Sequence, residues 1–184
     1  DRVCGLALAG IENPKRDDDF APRWRPPAEP PRLVVHVGAG SEAKRWPLER
    51  FLRVAANWRG AGGVALIAGE VERERMSAAE RAAFDAAGGR WIFDLEELLE
   101  AIAPAAAFVG CDTGPAHLAA QLAVPTVAVF GPTDPERWAP IGPAVSVVTP
   151  PGGVGPVSGV GVDAVMAALE SLARAGAHAA RPVG

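Results

Sequence analysis

The chain has 184 residues, enough for one domain with a real core, and its 49% apolar and 22% charged residues exclude wholesale disorder. A net charge of −4 argues against nucleic acid or an anionic membrane as the main partner. No apolar run reaches the roughly 18 residues that a membrane-spanning helix needs, and no signal peptide is recognised. The two cysteines, Cys4 and Cys111, form neither a disulfide framework nor a CxxC metal pattern, so free thiols in a reducing compartment are expected. Lys15 and Lys44 are the only lysines, which makes a Lys inside a Gly-rich loop worth following.

Taken in order, residues 1–31 read as a linker or tail, with one short element at 4–9, a solvated charge run at 15–19 and a stiff Pro-rich spacer. The compact domain is expected over 32–176, and a loose tail over 177–184. Strands are expected at 33–37, 64–68, 91–93, 107–110, 124–130 and 144–148. Helices are expected at 47–59, at 71–87 as one polar helix, at 95–103, in a short stretch from His117, in another from Pro135, and at 162–175. Strands separated by such helices predict an α/β fold, a doubly wound parallel sheet of Rossmann-like type. Ligands of such sheets bind beyond the carboxyl ends of the strands. The loops 38–46, 69–72, 93–94, 112–114 and 131–134 should share that edge.

The most informative stretch is FVGCDTGPAHLAAQLAVPTVAVFGPTDPERWAP, residues 108–140. Thr113, Gly114 and Pro115 are helix-start chemistry. A helix starting there aims unpaired N–H groups and its positive dipole end past the strand tip, which suits an anion such as a diphosphate. Gly114 allows close approach to the backbone. The Thr113 hydroxyl and the His117 ring can add donors. Asp112 would repel a phosphate, so it is better matched to backbone N–H groups of the turn or to sugar hydroxyls. The same residues would equally cap a helix with no ligand.

A second motif, VHVGAGSEAKRWP, follows the first strand. Gly38 and Gly40 offer a tight turn and N–H groups, and Ser41 and Lys44 can reach the same anion. Residues 38–43 also match G-x-G-x-x-A. A dinucleotide site needs the helix to open inside that hexamer, whereas Pro47 marks the expected helix start, and Glu70 lies well past the expected acidic spacing of about 20. A nucleoside-triphosphatase P-loop is excluded because G-K-[ST] is absent.

With both motifs in view, the chain resembles glycosyltransferase family 9, the lipopolysaccharide heptosyltransferases. The resembling residues are GAGSEAKRWP at 38–47, GGVALIAG at 62–69 and DTGPAHLAAQLAVPTVAVFGPTDPERW at 112–138. The resemblance covers about residues 33–148. It implies the C-terminal, nucleotide-sugar-binding domain of a GT-B enzyme, with residues 1–31 as interdomain linker. Gly40, Ser41, Lys44, Thr113, Gly114 and His117 would surround the diphosphate. Asp112 would meet the sugar or order its turn, Glu72 the ribose, and Phe93 or Asp94 the base. The family's Gly-Gly-Pro-x-Glu is here Ala68-Gly69-Glu70-Val71-Glu72, so the ribose contact falls to Glu72 or Glu70.

By the same resemblance the activity is inverting transfer of a sugar, heptose from ADP-heptose, to a lipopolysaccharide core or related glycolipid acceptor. The general base would be an Asp of an N-terminal GT-B domain, so no catalytic base is expected in this chain. The diphosphate charge would be met by protein groups, with no cofactor or metal. A cytoplasmic location, free or peripheral at the inner membrane, goes with that role. Two other function classes stay open at this point: an NAD(P)- or flavin-binding oxidoreductase domain, resting on the hexamer, and a non-catalytic nucleotide-binding module.

Overall fold

The computed structural model describes residues 32–60 and 62–179. The expected linker 1–31, Cys4 and residues 180–184 lie outside the described residues. The strands are β1 (Leu33–His36), β2 (Val64–Ala68), β3 (Arg90–Trp91), β4 (Ala107–Cys111), β5 (Thr126–Val129) and β6 (Val145–Val148). The helices are α1 (Leu48–Asn57), α2 (Glu70–Arg75), α3 (Ala78–Ala86), α4 (Leu95–Ile102), α5 (Gly114–Gln121), α6 (Pro135–Trp138) and α7 (Val162–Ala179). Every described strand pairing is parallel, in the order β3-β2-β1-β4-β5-β6. This is the expected doubly wound α/β arrangement.

Period-two alternation builds a core on each face. Leu33, Val35 and Val37 join Leu66, Val109 and Val127 under α1 and α7, where Phe51, Val54, Val165 and Leu169 close the layer. Val34, Ile67 and Phe108 face the other way, against Ile102 of α4 and Ala116 and Ala119 of α5. Both faces of the central strands are therefore covered, which is why their sequences read as unbroken apolar runs.

Three expectations are corrected. The single helix over 71–87 is two helices. Ser77 accepts from the Glu80 N–H at 3.2 Å, and Glu80 Oε2 accepts from the Ser77 N–H at 2.8 Å, a reciprocal capping box that starts α3 afresh. Met76, buried at the break, anchors the corner. Pro47 is the N-cap of α1 rather than its first turn. Finally, α7 continues to Ala179, beyond the end expected at 175. Among the described residues no helix is long and apolar enough to cross a membrane.

β1 and β4 are neighbours, and the sheet winds outward from them in opposite directions. The loops leaving their carboxyl ends diverge and leave a crevice between them.

Candidate functional site

The loop after β1 is held from several sides. Trp46 is fully buried, packs edge-on against Phe51 with centroids 4.9 Å apart, and donates from Nε1 to the Val160 carbonyl at 3.0 Å. Its backbone N–H points at Cys111 Sγ, 3.5 Å away. Burial pushes the Cys111 thiol up to about 12, so it stays a neutral packing group at the strand tip. Arg75 of α2 donates to the Gly40 carbonyl at 2.8 Å, and Arg45 pairs with Glu42 at 3.0 Å and Glu80 at 3.2 Å. The hexamer 38–43 opens no α-helix: its last two residues begin a single 3-10 turn (Glu42–Lys44), and α1 begins only at Leu48. The dinucleotide reading therefore lacks the helix N-terminus it requires.

A cleft of about 450 Å³ occupies the crevice. Gly40, Glu72, Phe93, Thr113 and Gly114 all line it, together with His36 at the end of β1. Its walls are largely apolar: Ile67, Ile92, Leu95 and Leu98 among them. Phe93 is 53% exposed, and the Arg73 guanidinium lies 5.5 Å from its ring centre. Asp94 is committed to capping α4, accepting the Glu97 N–H at 2.8 Å.

Thr113 is the N-cap of α5, Gly114 its first residue and Pro115 its second. The Thr113 side chain makes no cap bond; its hydroxyl donates back to the Cys111 carbonyl at 3.3 Å. The Thr113 carbonyl accepts the N–H groups of Ala116 and His117. Pro115 has no N–H, which leaves those of Thr113 and Gly114 as the donors at this helix start.

Lys44, Asp112 and His117 form a second cluster beside the cleft, joined to it through the 112–114 turn. Lys44 Nζ donates to Asp112 Oδ2 at 2.7 Å, and Thr133 Oγ1 donates to the same oxygen at 2.9 Å. His117 Nε2 lies 3.8 Å from Asp112 Oδ1. Asp112 thus takes its partners from side chains of three other segments rather than from N–H groups of its own turn. Ser41 is exposed at the start of the 3-10 turn, caps nothing and lines neither cluster.

Glu72 is buried. Its Oε2 accepts the Gly69 N–H at 3.0 Å, reaching back over the start of α2, and a Cβ at Gly38 would overlap its carboxyl group. Glu70 stays exposed at the cleft rim. His36 and Thr133 are the members that sequence reasoning missed. His36 reads as one more residue of a buried strand, and Thr133 as part of a helix start.

The family described as glycosyltransferase family 9 (heptosyltransferase) matches residues 6–152. No curated protein matches the chain. Among solved structures, Escherichia coli heptosyltransferase WaaC with ADP is 27% identical, with a TM-score of 0.65 over 79% of this chain and 46% of that one. The E. coli ADP-heptose lipopolysaccharide heptosyltransferase II is 23% identical, TM-score 0.64, over 82% and 49%. A family 9 glycosyl transferase from Veillonella parvula is 21% identical, TM-score 0.62, over 79% and 47%. The chain spans about half the length of the structures it matches. With a family match over most of its length, on a fold shared with half of these heptosyltransferases, the chain belongs to glycosyltransferase family 9, the heptosyltransferase family.

Proposed function

We propose that this chain is the donor-binding half of an inverting glycosyltransferase, holding ADP-heptose for transfer to a lipopolysaccharide core or related glycolipid acceptor. The observation that carries the reading is one largely apolar cleft that reaches the start of α5, with the Lys44–Asp112 ion pair beside it across the 112–114 turn, at the sheet's switch point. Such a cleft matches a nucleotide-sugar end to end. The base lies against Phe93, the ribose near Glu72, and the diphosphate at Thr113, Gly114 and Lys44. The related E. coli structure solved with ADP supports adenosine diphosphate as the nucleotide.

Chemically, an acceptor hydroxyl attacks the anomeric carbon, and the nucleoside diphosphate leaves as negative charge builds on it. The N–H groups at the start of α5 and the Lys44 ammonium stabilise that charge. An ammonium has three donors, and Asp112 takes one, so Lys44 can serve the diphosphate while its ion pair stays in place. His117, half-exposed beside Asp112, supplies a further donor at the same end. The general base is assigned to an N-terminal GT-B domain outside this sequence, because Asp112 and His117 stand on the donor side. A base must reach the attacking hydroxyl within hydrogen-bond distance. Residues 32–176 are accordingly read as the nucleotide-sugar domain and 1–31 as its linker.

The test is ADP release with donor and acceptor present, run on residues 1–184 and on a chain that adds an N-terminal GT-B domain. The 184-residue chain should bind ADP without acceptor-dependent turnover. Equal turnover in both would place the base in this chain and sink the half-enzyme reading. Failure to bind ADP would sink the donor-binding reading itself.

A further inference from the structure

His36 is an unusual residue to find at the tip of a central strand. Its side chain and that of Glu72 are 8% and 9% exposed, and both line the cleft. His36 Nδ1 is buried and has no hydrogen-bond partner. An N–H at that atom would be orphaned in the interior, which is costly. The proton therefore belongs on Nε2, the nitrogen that faces the Glu72 carboxylate. Burial also holds the ring below its ordinary value against the pull of Glu72, so the imidazole is neutral and carries a single N–H.

Nε2 stands 4.0 Å from Glu72 Oε2, too far for a direct hydrogen bond. A single atom about 2.8 Å from each would bridge the gap at an angle of roughly 90°. One end of the gap is a donor and the other an acceptor. The group that fits between them must accept and donate at once, which is what a hydroxyl does. Among the cleft's other carboxylates, Asp94 is used as a cap and Glu70 is exposed at the rim. The His36–Glu72 pair is thus the polar spot on a largely apolar floor.

We propose that one ribose hydroxyl of the bound nucleotide sits between His36 and Glu72, accepting from His36 Nε2–H and donating to Glu72 Oε2. This rests on the nucleotide-sugar reading above and adds His36 to it as a specificity-determining residue that reads the sugar of the nucleoside. A site built to pair with a hydroxyl discriminates against an analogue without it, because its buried polar atoms are left unpaired.

The experiment is calorimetric titration of the 184-residue chain with ADP, 2′-deoxy-ADP and 3′-deoxy-ADP. One of the two deoxy analogues should bind about tenfold or more weaker than ADP. His36→Leu should weaken ADP to the level of that analogue and leave the analogue's own affinity unchanged. His36→Gln, whose amide nitrogen falls near the position of Nε2, should recover part of the discrimination. Equal affinity for ADP and both analogues in the unaltered chain overturns the inference and leaves nucleotide binding standing; that comparison needs no variant to fold. An equal loss for all three ligands in His36→Leu also overturns it, by reducing His36 to a packing residue. No binding of any nucleotide overturns the donor-binding reading and this inference together.

Discussion

Lys44 Nζ lies 2.7 Å from Asp112 Oδ2, an ion pair between residues 68 apart in sequence. It ties the loop after β1 to the turn after β4, and Thr133 brings the loop after β5 to the same oxygen. The Asp112 side chain is 8% exposed and that of Lys44 30%, so the carboxylate depends on these donors more than the ammonium depends on it.

Lys44→Ala should therefore do two things. Binding of ADP should weaken at least tenfold, about 1.4 kcal/mol. Stability should also fall, because a buried carboxylate left short of a donor costs about 1–3 kcal/mol, nearer the lower end here since water reaches Lys44. From the sequence alone Lys44 looks like a charge whose loss leaves stability untouched; the ion pair changes that expectation. Adding Asp112→Asn to Lys44→Ala should restore part of the stability and none of the affinity. Calorimetry at one salt concentration and thermal melts measure both, and unchanged affinity would remove Lys44 from the site.

Gly114→Val tests the helix start. A Cβ at Gly114 meets nothing within 4 Å, and helix propensity slightly favours valine over glycine, so the fold should tolerate the side chain. Diphosphate binding should nevertheless be abolished, since the new methyl groups occupy the approach to the backbone. A folded variant that binds ADP normally would move the anion site elsewhere.

Gly38 and Gly40 differ in what they admit. A Cβ at Gly38 would overlap the Glu72 carboxyl, whereas one at Gly40 meets nothing within 4 Å. Gly38→Ala should displace Glu72, lower the melting temperature and weaken ADP binding; Gly40→Ala should melt like the parent. Similar melting of the two variants would show that Glu72 can settle elsewhere without loss.

The buried His36 makes a prediction about pH. Its folded value is lowered from 6.5, first by burial, with Glu72 opposing. The unfolded ring takes a proton near 6.5 and the folded ring resists it, so below that pH the unfolded state binds more protons. The contribution of His36 is neutral above about 6.5 and becomes destabilising as pH falls through that value. Between about pH 7.5 and 5 the melting temperature should drop, and His36→Gln should flatten the drop. Identical slopes for the two proteins would show that His36 ionises in the fold as freely as in the unfolded chain.

Much of the fold was legible in local chemistry. Apolar runs such as Thr126–Val129 mark strands covered on both faces, and Pro115 and Pro135 mark helix starts within one turn. Parallel strand direction follows from alternation alone, so the edge shared by the loops that carry Gly40, Thr113 and Gly114 could be read in advance. The break at Met76–Ser77 is equally local, written in the Ser77–Glu80 capping box, but the polar periodicity continues through it and masks it.

What the tertiary structure decided are the pairings across the sheet edge. Sequence types Lys44 and Asp112 separately, as a cation for a phosphate and a carboxylate for a turn, and nothing local says that they meet. The carboxyl ends of β1 and β4 become neighbours only through the strand order, and Thr133 reaches Asp112 only because β5 lies beside β4. The same holds for His36 and Glu72. One ends β1 and the other lies in the first turns of α2, and β1 pairs with β2 in register, His36 opposite Ile67. That register, with Gly38 leaving room for a carboxyl group, sets a histidine of ordinary appearance against a buried acid. Local propensity determines which elements form; burial and strand order determine which charges must share a dry space.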